Sequence, residues 1–241
     1  MAAAVLAIAA VSARADEARI AVAANFTAAA KEIAARFEKT SGHKIVLSFG
    51  STGQLYTQIT QGAPFDVFLA ADQDRPKKAV DEGLAVKGSR FTYATGKIVL
   101  YSRDKDRVTG AETLETGDFA KIAIANPETA PYGAAAVQAM KALGVYDALR
   151  AKIVQGTNIS QTYQFVSTGN AEVGFVALSQ VAGNDAGSRW IVPDRLYDAI
   201  AQDAVLLEHG AKNAAAAAFL AYLEGPEARA IEEKYGYGTG K

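Results

Sequence analysis

Four short turns in the sequence combine small residues with hydroxyl or amide side chains, and none of them contains Lys, Arg, Asp or Glu. Each turn stands between an apolar run and a pattern typical of an amphipathic helix. Because the first N–H groups of a helix lack partners within the helix, such turns can offer donors to an anion. The residue types therefore predict capture of an oxyanion by neutral groups. The four turns are Ala24-Asn25-Phe26-Thr27, Gly50-Ser51-Thr52-Gly53, Ala130-Pro131-Tyr132-Gly133 and Thr157-Asn158-Ile159-Ser160.

The absence of charge from these turns bears on the kind of anion. A fully deprotonated oxyanion only accepts hydrogen bonds, so N–H and hydroxyl donors satisfy it without a formal counter-charge. A buried carboxylate would repel a dianion and would favour a protonated anion. Taken singly, however, Asn, Ser and Thr at helix starts are ordinary caps that contribute about 1 kcal/mol each. On the pattern alone, both the cap and the anion site remain open.

Short strands alternate with helical patterns along the chain, for example at residues 20–24, 44–49 and 66–70. This alternation predicts βαβ units and an α/β fold of two lobes, each a mixed, mostly parallel sheet flanked by helices. We assign residues 16–92 and 203–241 to lobe I and residues 93–202 to lobe II, with crossings near residues 91–97 and 193–203. The four turns then lie at the carboxyl ends of strands, where open sheets bind ligands.

Composition excludes several classes of function. The 241 residues carry a formal net charge of −1 and no dense basic block, which argues against nucleic acid or an anionic membrane as the main partner. The chain has no cysteine, so disulfides and cysteine chemistry are excluded. Residues 1–15 resemble a secretory signal peptide cleaved after Ala15, which predicts an exported protein, located in the periplasm.

Sequence signatures of enzymes are lacking. No GxxxxGK or GxSxG motif occurs, and His43 and His209 are the only histidines, neither in a metal-ligand spacing. Asp66 and Asp72 flank one predicted strand, where local pairing and helix capping are the expected roles. We therefore predict no catalytic residue, no cofactor and no resident metal.

Several segments together resemble the periplasmic molybdate-binding proteins of ABC transporters. They include AVAANFTAAAKEIAARFEKTSG at 21–42, GAPFDVFLAAD at 62–72 and YLEGPEARAIEEKYGY at 222–237. The resemblance implies a type II periplasmic-binding-protein fold that holds molybdate, and usually tungstate, between its lobes. It also implies that molybdenum enters only as the bound oxyanion and that an inner-membrane permease with its ATPase receives it. The family's contact positions fall on Asn25, Ser51, Thr52, Tyr132 and Ile159.

The sequence departs from the family at one pair of positions. Some members carry a small residue at the position of Tyr132 and a hydroxyl-donating tyrosine at the position of Ala177, so Tyr132 is expected to supply the donor that Ala177 lacks. Two alternatives stay open: a binding protein for another tetrahedral oxyanion such as sulfate, and an enzyme on the same scaffold. A monomer is expected, since no coiled-coil pattern occurs.

Overall fold

The strands of the computed structural model build two sheets. The structure describes residues 16–184 and 186–239, and the predicted signal peptide at residues 1–15 lies outside them. The strands are β1 (Glu17–Ala23), β2 (Lys44–Gly50), β3 (Val67–Leu69), β4 (Phe91–Gly96), β5 (Ile98–Ser102), β6 (Ile122–Ala125), β7 (Ile153–Gly156), β8 (Val173–Ala177), β9 (Ser188–Ile191), β10 (Ile200–Leu206) and β11 (Gly238–Thr239).

The helices cover both faces of each sheet. An apolar cluster around Ile33 and Phe219 fills one face of the first sheet, and a second cluster around Leu55 and Ala79 fills the other. The second sheet is likewise packed on both faces, which gives each lobe three layers. The helices are α1 (Thr27–Ser41), α2 (Thr52–Thr60), α3 (Asp74–Asp81), α4 (Glu112–Thr116), α5 (Pro131–Ala142), α6 (Tyr146–Leu149), α7 (Ile159–Ser167), α8 (Leu178–Val181), α9 (Ala214–Leu223) and α10 (Pro226–Lys234).

Both sheets are mixed, as the sequence predicts. The first has the strand order β11-β4-β10-β3-β1-β2, and the second has the order β7-β6-β8-β5-β9. Parallel pairs join β1 to β2 and β3, and β6 to β7 and β8. The prediction that parallel pairs dominate is not met among the described strands: four pairs are parallel and five antiparallel. The antiparallel pairs arise because β4, β5 and β10 lie beside the crossings between lobes.

The chain passes between the sheets twice. Strand β4 pairs with β10 in the first sheet up to Gly96, and β5 starts the second sheet at Ile98. The region expected as a crossing near residues 91–97 is therefore mostly strand, with Lys97 as the link. The return lies between Ile191 and Ile200, a few residues before the expected end at 203. The lobe boundaries at 92/93 and 202/203 stay a prediction.

Local signals explain how helices adjoin the strands. Helix α1 ends at Gly42, whose φ of 75° is left-handed and whose N–H donates to the Glu38 carbonyl at 3.0 Å. Helix α5 begins with Pro131, which needs no N–H donor at that position. Within residues 16–184 and 186–239, no helix is both long and apolar enough to cross a membrane.

Candidate functional site

The four neutral turns meet at one small cavity between the lobes. The five site residues predicted from the sequence all line it: Asn25, Ser51, Thr52, Tyr132 and Ile159. Its other lining residues are Ala23, Ala24, Gly50, Ala71, Ala130 and Pro131, so the described part of its wall carries no ionisable side chain except the Tyr132 phenol. Helix N-termini from both lobes thus point their positive dipole ends into an uncharged space.

The first turn holds Asn25 in a short 3-10 helix, Ala24–Phe26, that leads into α1. The Asn25 side chain is buried, and its Nδ2 donates to Gln202 Oε1 at 2.8 Å and to Tyr237 Oη at 3.1 Å. Both amide hydrogens are therefore used by protein groups. The donor that the first turn can offer to a ligand is its backbone N–H, which lies at the start of a helix.

The second turn leaves a different set of donors. Ser51 is the N-cap of α2, and its hydroxyl donates to Gln54 Oε1 at 2.9 Å and accepts from the Gln54 N–H at 3.4 Å in a capping box. Thr52 Oγ1 accepts from the Ala71 N–H at 3.0 Å. Because that bond occupies only a lone pair, the Thr52 hydroxyl hydrogen and backbone N–H remain as donors.

The third turn contributes Tyr132, on the first turn of α5, which is the largest fully buried side chain among the described residues. Its Oη accepts a hydrogen bond from Gln202 Nε2 at 3.2 Å. Burial raises the pKa of the Tyr132 hydroxyl well above its ordinary value of 10.0. The phenol therefore stays protonated and acts as a neutral hydrogen-bond donor.

The fourth turn is capped in a way that frees one N–H. Asn158 Oδ1 accepts from the N–H groups of Ser160 and Gln161, both at 3.0 Å. The Asn158 side chain does not accept from the Ile159 N–H, which stands at the first helical position of α7. The helix itself supplies no acceptor for its first N–H groups. Ile159 is buried, so this N–H lies in a water-poor site where a hydrogen bond to an anion is strong.

The lobes contact each other directly around the cavity. Gly53 N donates to the Thr129 carbonyl at 2.8 Å, and Arg75 Nη2 donates to the Glu128 carbonyl at 3.0 Å. A Cβ on Gly53 would lie only 3.0 Å from Thr129 Cα, so a side chain there would push the two backbones apart by a few tenths of an ångström. At the opposite side, Ser179 Oγ donates to the Asn25 carbonyl at 2.9 Å. The cleft is therefore closed in this structure.

The acidic and imidazole groups that could have served catalysis have structural partners elsewhere. Asp66 accepts from Arg19 N at 2.7 Å and lies 2.9 Å from His209 Nδ1. His43 Nδ1 accepts from Asp16 N at 3.2 Å. Asp72 accepts from Arg75 N at 3.0 Å at the start of α3 and forms an ion pair with the same arginine. In the described ranges no group of three or more acidic or imidazole side chains could hold a metal ion.

Three residues that support the site were not predicted from the sequence: Gln202, Tyr237 and Ser179. Tyr237 Oη donates to the Asn25 carbonyl at 2.7 Å and lies 3.0 Å from Ser179 Oγ. The only signal for Gln202 was a polar residue inside the apolar strand IAQDAVL, where a buried amide requires partners. Ala177 is buried in the same apolar cluster as Tyr132 and is absent from the cavity lining among described residues.

Comparisons with known proteins place this geometry in context. The family model described as bacterial extracellular solute-binding protein matches residues 18–238. The molybdate-binding protein ModA of Rhodobacter capsulatus is 57% identical over 230 residues, which covers 95% of this chain and 91% of that protein. The molybdate-binding protein ModA of Azotobacter vinelandii is 53% identical over 231 residues, which covers 94% of this chain and 92% of that protein.

A solved structure extends the comparison to the fold. The periplasmic molybdate-binding protein of Azotobacter vinelandii superposes with a TM-score of 0.90 at 39% identity, covering 93% of this chain and 100% of that chain. The two-lobed α/β fold expected from the sequence is thereby confirmed, as is the resemblance to the molybdate-binding proteins.

Proposed function

The chain belongs to the family of bacterial extracellular solute-binding proteins, and we propose that it captures molybdate between its lobes and delivers it to an ABC importer. The observation that carries this proposal is the cavity lined by four helix N-termini and by no charged side chain among its described residues. Relatives named as molybdate-binding, at 57% and 53% identity, support the choice of oxyanion.

The ligand contacts are assigned from the donors that the protein leaves free. Asn25, Thr52, Tyr132 and Ile159 offer backbone N–H groups at helix starts, and Thr52 and Tyr132 add hydroxyl hydrogens. Ser51 shapes the second turn and flanks the ion. The Tyr132 hydroxyl supplies the donor that Ala177 lacks. Donors from both lobes on one dianion favour the closed state, because the open cleft would leave half of these bonds to water.

Selectivity follows from the same chemistry. Tungstate has the same charge and shape as molybdate and is expected to bind as well. A phosphate that carries a proton needs an acceptor, and the described wall of the cavity contains no carboxylate. Sulfate is also satisfied by donors alone, so cavity size must exclude it.

The wider setting completes the proposal. We infer an exported, monomeric protein, cleaved after Ala15, which docks in its closed state on an inner-membrane permease with its ATPase. No chemical step is part of this function: the protein binds, encloses and releases an ion unchanged.

Calorimetric titration of the purified protein with molybdate, tungstate, sulfate and phosphate tests the proposal. Sub-micromolar dissociation constants for the first two and weak or absent binding of the others are expected, which corresponds to more than about 8 kcal/mol of binding free energy. Preferred binding of sulfate, or no binding of any oxyanion, would overturn it.

A single substitution tests the assignment of Tyr132. Tyr132→Phe removes one hydrogen bond to a charged ligand, worth roughly 1.5–3 kcal/mol, so the molybdate affinity should fall by roughly ten- to a hundredfold. Tyr101→Phe is the matched control, because this buried tyrosine bonds the Ala186 carbonyl on the far face of the second sheet. Equal affinities of Tyr132→Phe and the control would remove Tyr132 from the site.

A further inference from the structure

We propose that Gln202 is a positioning residue, which turns the Tyr132 hydroxyl into a donor toward the bound oxyanion and links it to Asn25 in the other lobe. This inference rests on the proposed function, because it assigns a role within the same site. Gln202 itself is absent from the cavity lining among described residues and acts through the two residues that line it.

Gln202 occupies a position where the fold can direct a side chain under the site. It is the third residue of β10, the strand that follows the return of the chain from the second sheet, and it is fully buried. The pairing register of β10 with β4 shifts between Gln202 and Asp203. Such an irregularity re-aims side chains relative to a regular ladder.

The oxygen end of the Gln202 amide is held by one donor, Asn25, and lies beside the Tyr93 hydroxyl, which is also 3.0 Å from the Ala70 carbonyl. Oε1 accepts from Asn25 Nδ2 at 2.8 Å and lies 3.1 Å from Tyr93 Oη, both buried. Because the Asn25 amide nitrogen can only donate, the carbonyl oxygen of Gln202 must face it. The orientation of the amide group, which follows from the hydrogen-bond network, therefore places Nε2 at the other end.

The nitrogen of the Gln202 amide determines the direction in which the Tyr132 hydroxyl donates its hydrogen. Nε2 donates to Tyr132 Oη at 3.2 Å, so the phenol oxygen is an acceptor on this side. A phenol has one hydrogen, and an amide N–H that occupies its lone pair directs that hydrogen elsewhere. The hydroxyl hydrogen is thereby directed away from Gln202, toward the side where Asn25 and Tyr237 adjoin the phenol, and we infer that it donates to the ion held in the cavity that Tyr132 lines. Hydrogen bonds in such a chain also strengthen one another.

Gly96 provides the space for this contact. A Cβ on Gly96 would lie 2.6 Å from Gln202 Nε2 and 2.9 Å from Tyr132 Cζ, and it would overlap the Tyr132 hydroxyl. Gly96 ends β4 directly before the link at Lys97. The amide, the phenol and the glycine therefore meet beside both crossings.

A double-mutant cycle with molybdate titration tests the role of Gln202. Gln202→Met keeps the approximate size of the side chain and removes both the oxygen and the nitrogen of the amide. In the wild-type background it should lower molybdate affinity roughly tenfold, the effect of a lost hydrogen bond to an ionic ligand. In the Tyr132→Phe background the same substitution should have little effect, because no hydroxyl remains to be oriented. Equal losses in the two backgrounds would show a merely structural role and overturn the proposal.

Two further variants keep the test interpretable. Gln202→Glu is nearly isosteric and places an acceptor against Tyr132 Oη, which draws the phenol hydrogen away from the ligand. Its molybdate affinity should fall more than that of Gln202→Met, and wild-type affinity in Gln202→Glu would overturn the proposal. Gln138→Met is the matched control on α5, since both ends of that amide bond Asp198 at the surface, and its affinity should be unchanged.

The thermal unfolding temperature of each ligand-free variant separates binding from folding. If Gln202→Met does not fold, the comparison of Gln202→Glu with wild type decides the proposal. The wild-type titration separates the two levels of inference: molybdate binding without coupling between Gln202 and Tyr132 rejects only the positioning role. A wild-type protein that does not bind molybdate rejects the proposed function, and the positioning role with it.

Discussion

Two regions built on the first sheet bury polar side chains, and they differ in whether those side chains have hydrogen-bond partners. At the cleft, the amides of Asn25 and Gln202 and the phenol of Tyr237 all bond to one another or to backbone. On α10, Glu232 is 1% exposed, and neither carboxylate oxygen has a hydrogen-bond partner among the described residues. The difference shows that a buried neutral group keeps a fixed direction through its partners, whereas a buried acid without partners keeps its proton.

The environment of Glu232 accounts for that proton. The pKa of Glu232 is raised from its ordinary 4.5 to about 8, chiefly by burial; the charge of Arg229 lowers it and that of Glu233 raises it, both by less than burial does. Tyr93 and Tyr237 lie close enough that an ionised Glu232 would raise the pKa of their phenols. The Glu232 backbone carbonyl accepts from Tyr237 N at 3.0 Å. The unpartnered acid therefore adjoins the partnered network through Tyr237.

Glu232→Gln gives the largest expected effect and breaks the contrast directly. Between pH 4.5 and 8 the native state binds more protons than the unfolded chain, so this carboxyl makes the protein less stable as pH rises. With one pKa unit worth about 1.4 kcal/mol, the wild type should lose roughly 3 kcal/mol through this group from pH 5 to 8. Denaturant unfolding at both pH values should show that this loss disappears in the variant. A pH dependence equal to wild type would mean that Glu232 is solvated or paired.

Gly96→Ala tests how tightly the cleft network is packed. The added methyl group would overlap the Tyr132 hydroxyl and displace Gln202 Nε2. Overpacking costs roughly 1–3 kcal/mol, so molybdate affinity should fall by up to roughly a hundredfold. Gly238→Ala is the control, because its Cβ would meet only ordinary contacts, at 3.5 Å or more, on the edge of the same sheet. Wild-type affinity in Gly96→Ala would show that Tyr132 and Gln202 can shift to accommodate the methyl group without loss of ligand binding.

Asn158→Ala extends the comparison to a partnered group that holds a donor in place. The substitution removes the cap of α7 and should lower the free energy of unfolding by about 1 kcal/mol. The molybdate affinity should also fall, since the Ile159 N–H is no longer fixed by a capped helix start. Asn213→Ala, which removes the corresponding cap of α9 far from the cleft, should lose similar stability with unchanged affinity. An equal loss of affinity in both variants would contradict a local effect.

Arg75→Gln has the smallest expected effect, because the contact lies at the rim. The substitution removes the bond from Nη2 to the Glu128 carbonyl and the ion pair with Asp72. Partly exposed contacts of this kind contribute roughly 0.2–1 kcal/mol, so release of molybdate should become a few-fold faster in a stopped-flow chase. Arg36→Gln removes an exposed pair with Glu32 on α1 and should leave release unchanged. If Arg75→Gln released molybdate at the wild-type rate, the buried contacts alone would hold the cleft closed.

The sequence predicted the parts of the site that repeat a local pattern. Asn25, Thr52, Tyr132 and Ile159 each follow a strand and begin a helix, and parallel strands bring such turns to one edge of a sheet. Their meeting in one cavity follows from the strand order of two sheets and from two crossings. Neither chemistry nor spacing along the chain predicted which donors are free: the Asn25 amide and the Ser51 hydroxyl are already engaged.

The supporting residues were out of reach of local patterns. Gln202 is 177 positions from Asn25, and Tyr237 is 212 positions from it. Their contacts depend on where β10 returns to the first sheet and on how α10 ends, both of which are tertiary properties. Glu232 lies in a helix of charged residues, PEARAIEEK, where solvent exposure is the ordinary expectation. Packing of α10 against α1 and α9 decides instead that this acid is buried.

The uncharged wall of the cavity has a thermodynamic consequence. Its described residues include a single ionisable group, Tyr132, whose pKa lies well above the ordinary range. Capture of a dianion should therefore neither take up nor release a proton near neutral pH. The heat of binding should be the same in phosphate-free buffers of different ionisation enthalpy. A lower pH should not by itself release the bound ion. Unloading must then come from the mechanical opening of the lobes.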